Sequence, residues 1–131
     1  MNNLYQRFLV SFLTLISVLL IISCEPCKFE GIAPDDIPVA KIGSDYSTVF
    51  KDRTSVCSPS RVYIFVENGS LPPGLTLYPN GELKGKISNN AEAKVYNFTI
   101  KMEVCFAGQA STGYSDCTSL SKGYALKVEN K

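Results

Sequence analysis

The chain is expected to fold as a single all-β unit, an antiparallel sandwich. Three observations lead there. Beyond residue 38 apolar and polar residues alternate with period two in short pieces, turn residues separate those pieces, and no stretch keeps an apolar stripe at helical spacing. An amphipathic strand buries one face against a second layer, so a series of them joined by tight turns closes into a two-layer core.

The elements follow in order. Residues 25–38 contain Pro26, Pro34 and Pro38 with Gly31 and the pair Asp35-Asp36. This composition favours an extended tether, and the acidic pair is expected to be solvated, since no D-x-D-x-D-G calcium loop surrounds it. Val39 to Ile42 and Tyr46 to Phe50 read as the first strands, and a loop with Cys57 and Pro59 leads to Arg61–Glu67. In that strand Val62, Ile64 and Val66 face one way, and Tyr63 and Phe65 the other. A strand lying under loops or a neighbouring sheet is buried on both faces, so Tyr63 and Phe65 are expected in the core; the competing reading makes them a binding surface.

Leu75-Thr76-Leu77-Tyr78 meets Pro79-Asn80-Gly81 and returns as Glu82 to Ile87. Asn80-Gly81 supplies the positive φ that a tight hairpin needs. The longest strand spans about Lys94 to Phe106, with Tyr96, Phe98, Ile100, Met102 and Val104 toward the core and Asn97, Thr99, Lys101 and Glu103 toward solvent. A loop from Gly108 to Lys122 precedes a final strand, Gly123 to Glu129, with Tyr124, Leu126 and Val128 inward.

The first 23 residues belong to another physical class. Met1 to Arg7 is polar with one positive charge, and Phe8 to Ile22 is apolar apart from Ser11, Thr14 and Ser17, the layout of a secretory signal peptide. As a helix the apolar run would be about 22 Å long against a hydrocarbon core of about 30 Å. Ile21-Ile22-Ser23-Cys24 resembles the lipobox of bacterial lipoproteins, which implies cleavage after Ser23 and diacylation of Cys24. Acyl chains contribute about 0.8 kcal/mol per buried methylene, and two chains give stable anchoring. The expected organisation is a signal peptide at 1–23, an acylated N-terminus and tether at 24–38, and a sandwich at 39–131, on the periplasmic or cell-surface side of a membrane. Glu25, next to the modified cysteine, is not the aspartate associated with inner-membrane retention, which favours outward sorting.

Cysteine arithmetic agrees with that compartment. Of five cysteines, assigning Cys24 to lipid leaves an even set, Cys27, Cys57, Cys105 and Cys117, and hence two disulfides. Four cysteines allow three connectivities. The preferred pairing is Cys105 with Cys117, bracketing a short polar segment, and Cys27 with Cys57, pinning the tether to the body. A metal site is not expected, because the chain has no histidine.

The segments Leu71-Pro72-Pro73-Gly74-Leu75-Thr76-Leu77, Gly81-Glu82-Leu83-Lys84-Gly85 and Tyr96-Asn97-Phe98-Thr99-Ile100 resemble the immunoglobulin-like, cadherin-like LPPGL-type domain family of bacterial surface proteins. Ile42-Gly43-Ser44-Asp45-Tyr46-Ser47 resembles its opening strand, and the likeness spans most of Ile42 to Val128. Lys86-Ile87 departs from the family's usual threonine and proline, as do the four cysteines and the insertion before the last strand. The resemblance implies an immunoglobulin-like sandwich and a role in adhesion, spacing, or carbohydrate or protein binding. Leu71, Leu75 and Leu77 would plug the core.

Composition excludes several function classes. Arg7 is the one charge in the leader, so twelve basic and twelve acidic residues remain after processing. That balance offers nucleic acid nothing. Without histidine there is no Ser-His-Asp or Cys-His arrangement, and the carboxylates Glu67, Glu82 and Glu103 are read as solubilising, so the chain is not expected to be an enzyme or to need a cofactor. The aromatics Tyr78, beside the hairpin tip, and Tyr114, in the stapled loop, are the candidate binding residues. Two readings stand: a surface-displayed binding or adhesion module for a polysaccharide or protein, and a structural or accessory envelope lipoprotein docking into a larger assembly. Two sequons, at Asn68 and Asn97, match glycosylation acceptors but have no obvious modifying machinery in a bacterial lipoprotein.

Overall fold

The computed structural model describes residues 27–55, 57–107 and 116–131. The leader, Cys24 and Tyr114 lie outside them. Among the described residues nine strands run in chain order: β1 (Lys28–Ala33), β2 (Ala40–Lys41), β3 (Asp45–Val49), β4 (Lys51–Ser55), β5 (Arg61–Gly69), β6 (Leu75–Leu77), β7 (Glu82–Lys86), β8 (Val95–Phe106) and β9 (Asp116–Glu129). One layer is the four-stranded sheet β2-β9-β8-β5; facing it lie the three strands β3-β7-β6 and the pair β1-β4. Because β3 and β4 are separated only by Phe50, the second layer is nearly continuous, and Phe50 N–H donates to the Gly81 carbonyl at 2.8 Å where the chain changes partner.

The expected all-β sandwich is what forms. The alternation in β8 lands as read: Tyr96, Phe98, Ile100, Met102 and Val104 are all buried, as are Tyr124, Leu126 and Val128 of β9. Tyr124 ties the layers together, its ring centroid 4.8 Å from that of Phe50 and 6.0 Å from that of Phe98. Burial pushes its phenol up to about 12. The β6–β7 hairpin turns at Gly81 with φ of 83°, as Asn80-Gly81 predicts. Leu75 and Pro72 are buried, while Leu71 and Leu77 pack against the core at its rim. The LPPGL segment has a steric reason for its glycine: a Cβ at Gly74 would collide with the Lys86 carbonyl, and one at Gly85 with the Gly74 carbonyl. The two chain segments touch backbone to backbone.

Both disulfides form with the preferred pairing, Cys27 to Cys57 and Cys105 to Cys117. The second joins directly opposed residues of β8 and β9, so it staples the end of a ladder.

Several expectations change. Residues 28–33 are not tether but strand β1, which pairs antiparallel with β4 and buries Phe29 and Ile32; one β-bulge between Phe29 and Gly31 breaks the strict alternation that would have betrayed it in the sequence. Lys51–Ser55, on the way from Phe50 to the Cys57 loop, is not loop but strand β4, half-exposed and held by pairing to β1. The last strand starts at Asp116, not Gly123, so residues 116–122 of the expected loop are ladder, paired to β8 from Phe106 back to Ile100. Tyr63 and Phe65 are not core: they are 49% and 48% exposed, because nothing among the described residues covers that face of β5. The sandwich is also not wholly antiparallel, since β2 runs parallel to β9.

Asp35 is more than a solvated acid. The Arg53 guanidinium grips it at 2.7 and 3.2 Å and the Lys122 ammonium at 2.7 Å. Arg53 first, then Lys122, hold its carboxyl at about 2. Lys122 also donates to the carbonyls of Ile32 and Pro34, and the Tyr124 hydroxyl donates to Pro34. The segment after β1 is thereby strapped across β9.

Candidate binding face

Strand β8 pairs β5 on one side and β9 on the other, so its solvent-facing residues stand in rows with theirs. Tyr63, Glu103 and Ser119 form one row, and Phe65, Lys101 and Ser121 the next. Serine hydroxyls on β9 and charged groups on β8 give a polar floor, with two half-exposed aromatics along its β5 margin. Side chains in such rows lie about 5 Å apart, so an aromatic is flanked by hydrogen-bonding groups of neighbouring strands.

Glu67 organises the middle of this face. Its carboxylate accepts from the Ser121 hydroxyl at 2.7 Å and lies 3.4 Å from the Lys101 ammonium. The Ser121 hydrogen bond, then Lys101, holds it below the ordinary glutamate range. Just beyond, β5 carries a bulge between Val66 and Asn68. A shallow groove of about 330 Å³ opens there, lined by Asn68, Asn97, Thr99, Gly123 and Ala125 with Phe98 and Tyr124 beneath. Gly69 takes φ of 81° at the bulge, and a Cβ there would strike the Asn97 carbonyl. Gly123 has open space above it, which leaves the floor flat. Both sequon asparagines, Asn68 and Asn97, line the groove.

Tyr78 is elsewhere. It follows β6 in the facing layer, 41% exposed, with the Lys84 ammonium 5.1 Å from its ring centroid and Lys84 itself paired to Glu82 at 2.7 Å. The ring already has a cation over one face. The fold thus separates Tyr78 from the Tyr63–Phe65 margin, while Tyr114 lies outside the described residues, as does Cys24. Glu103, Cys105 and Cys117 converge within 4.8 Å, but both sulfurs are committed to one disulfide and are not thiolate ligands.

Sequence reading missed the face because it assigned Ser119 and Ser121 to a loop and the aromatics to the core. One signal was present: the polar alternation of Thr118 to Ser121 cannot close a core, yet it suits a strand extending beyond one.

Residues 31–120 match the family model described as "Putative Ig domain". No curated protein and no solved structure matches the chain.

Proposed function

Since the chain belongs to the "Putative Ig domain" family, we propose that it is a non-catalytic binding or adhesion module, anchored by lipid at Cys24 to the outer side of a bacterial membrane. In this reading it presents the outer face of the four-stranded sheet to a polysaccharide or a protein. The observation that carries it is the pairing of half-exposed Tyr63 and Phe65 beside a flat floor of Lys101, Glu103, Ser119 and Ser121. Aromatic faces stack on the apolar faces of sugar rings or anchor a protein partner, and hydroxyls and charges beside them fix orientation. The groove at Gly123, with two asparagine side chains at its edge, extends the same floor and is suited to a hydroxyl-rich ligand.

The anchoring part of the proposal rests on the apolar leader, the lipobox-like Ile21-Ile22-Ser23-Cys24 and the even count of remaining cysteines, all of which form disulfides. Strand β1 begins one residue after Cys27, so the anchor would join the sandwich through a very short link and hold it close to the membrane.

The test uses chain extracted from membranes. Intact mass before and after reduction should give an acylated polypeptide starting at Cys24 with four thiols appearing only on reduction. Retention on immobilised glycans and on envelope proteins should then fall at least tenfold for Tyr63→Ala and Phe65→Ala and stay unchanged for Tyr78→Ala. Retention that ignores Tyr63 and Phe65 would remove the outer face from the proposal.

A further inference from the structure

The four-stranded sheet has two unequal edges. On one side, among the described residues, β2 pairs with the end of β9 alone. The rest of β9 points Lys122 inward in the register of Ile100, beneath the β1 strap. A short edge strand and an inward-pointing charge are among the devices by which proteins block pairing with another chain. On the other side β5 is nine residues long and, among the described residues, pairs only with β8. It has no proline, no lysine and no inward charge, and its bulge comes only after Val66. Its inward residues Val62, Ile64 and Val66 are only half-buried, packed on the rim of the core.

The residues of this open edge are self-complementary. Laid antiparallel against itself about Ile64, the run Arg61-Val62-Tyr63-Ile64-Phe65-Val66-Glu67 opposes Arg61 to Glu67, Val62 to Val66, Tyr63 to Phe65 and Ile64 to Ile64. Charge meets opposite charge, aromatic meets aromatic and branched aliphatic meets branched aliphatic, all pairs that stabilise antiparallel ladders. By two-fold symmetry every off-centre pair occurs twice. Arg61 is exposed and makes no ion pair among the described residues, while Glu67 lies on the outer face where an arginine from a second chain would arrive.

We infer that β5 is an interface between two copies of this chain, joined edge to edge and antiparallel about Ile64 into a continuous eight-stranded sheet. The pairing satisfies the open backbone edge, covers the exposed halves of Val62, Ile64 and Val66, and sets Tyr63 of each copy beside Phe65 of the other. It goes beyond the binding role proposed above, because it rests on the strand edge and not on the outer face.

The test is sedimentation of the full chain extracted in density-matched detergent. Wild type is expected as a dimer. Arg61→Glu alone and Glu67→Arg alone each create two like-charge oppositions and should weaken dimerisation on the order of tenfold or more. An equimolar mixture of the two variants should dimerise again, because one copy then carries acid at both positions and the other carries base at both, so each end pair again joins opposite charges. Restoration by mixing excludes misfolding of either variant, and unchanged thermal unfolding of each checks it separately. A photo-crosslinking residue at position 63 should yield a product of twice the chain mass, joined near Phe65. A monomeric wild type, a dimer indifferent to both reversals, failure of the mixture to recover, or a crosslink to a different polypeptide would each overturn the inference. Dimers that are retained on neither glycans nor envelope proteins would sink the proposed binding role alone, and monomers that are retained would sink the dimer alone.

Discussion

The two faces of β8 come from one alternating run but live in different media. On the inner face Tyr96, Phe98, Ile100, Met102 and Val104 are at most 8% exposed, whereas Thr99, Lys101 and Glu103 opposite them are half-exposed and Asn97 is exposed. The neighbouring strand β9 follows the same rule only in its second half. Tyr124, Leu126 and Val128 are buried, but Thr118 and Leu120, in the same register, are exposed and Lys122 is half-exposed. Alternation therefore assigns a side of the sheet, and burial depends on whether a second layer is present there. The inner face is committed to folding, and the outer face is left in contact with solvent.

The sharpest way to test this division is truncation in the core. Ile100→Ala or Leu126→Ala, each at positions 0% exposed, should destabilise by about 2–5 kcal/mol, read as a lowered denaturant midpoint with unchanged slope. Lys122 sits on the inner face, where the covered half of β9 ends. Lys122→Met would leave the Ile32 and Pro34 carbonyls without their ammonium donor and should cost about 1–3 kcal/mol, with faster hydrogen exchange in β1 while the amides of β8 stay protected. On the outer face, Tyr63→Ala and Phe65→Ala should change stability by about 1 kcal/mol or less. A loss as large as that of Ile100→Ala would mean the aromatics belong to the fold and not to a surface.

The smallest effect is the acid limb. Asp35 has a folded-state pKa of about 2 against an ordinary 3.8, so its contribution is complete above 3.8 and disappears as pH falls toward 2. The carboxylate is exposed, and solvent screening keeps the effect small. Thermal unfolding midpoints taken between pH 5 and pH 2 should fall slightly less steeply for Asp35→Asn than for wild type. Equal slopes would mean that Arg53 and Lys122 hold the strap without help from that charge.

Much of this was legible in the residues. The β8 strand, the β6–β7 hairpin with its Asn80-Gly81 turn, the inward set of the last strand and the set of four disulfide cysteines could be read directly, because period-two burial, positive φ and cysteine parity leave local traces. Strand β1 was hidden by a bulge beside Gly31, and β4 by having no apolar residue at all. The candidate binding face was hidden twice: Tyr63 and Phe65 look like core in any strand with apolar residues on both sides, and Ser119 and Ser121 look like loop.

By itself, then, the sequence determined the all-β class, the strands with one apolar face, the tight turn at Gly81, the pairing potential of four cysteines and the absence of histidine chemistry, since each depends on residues close together or on composition. Only the tertiary structure decided which apolar face was covered. Whether Tyr63 is core or surface, whether Asp35 is solvated or gripped by Arg53 and Lys122, and which edge stays open all depend on residues tens of positions away that arrive when the layers close. Burial is a property of what lies opposite, and alternation in one strand carries no information about that.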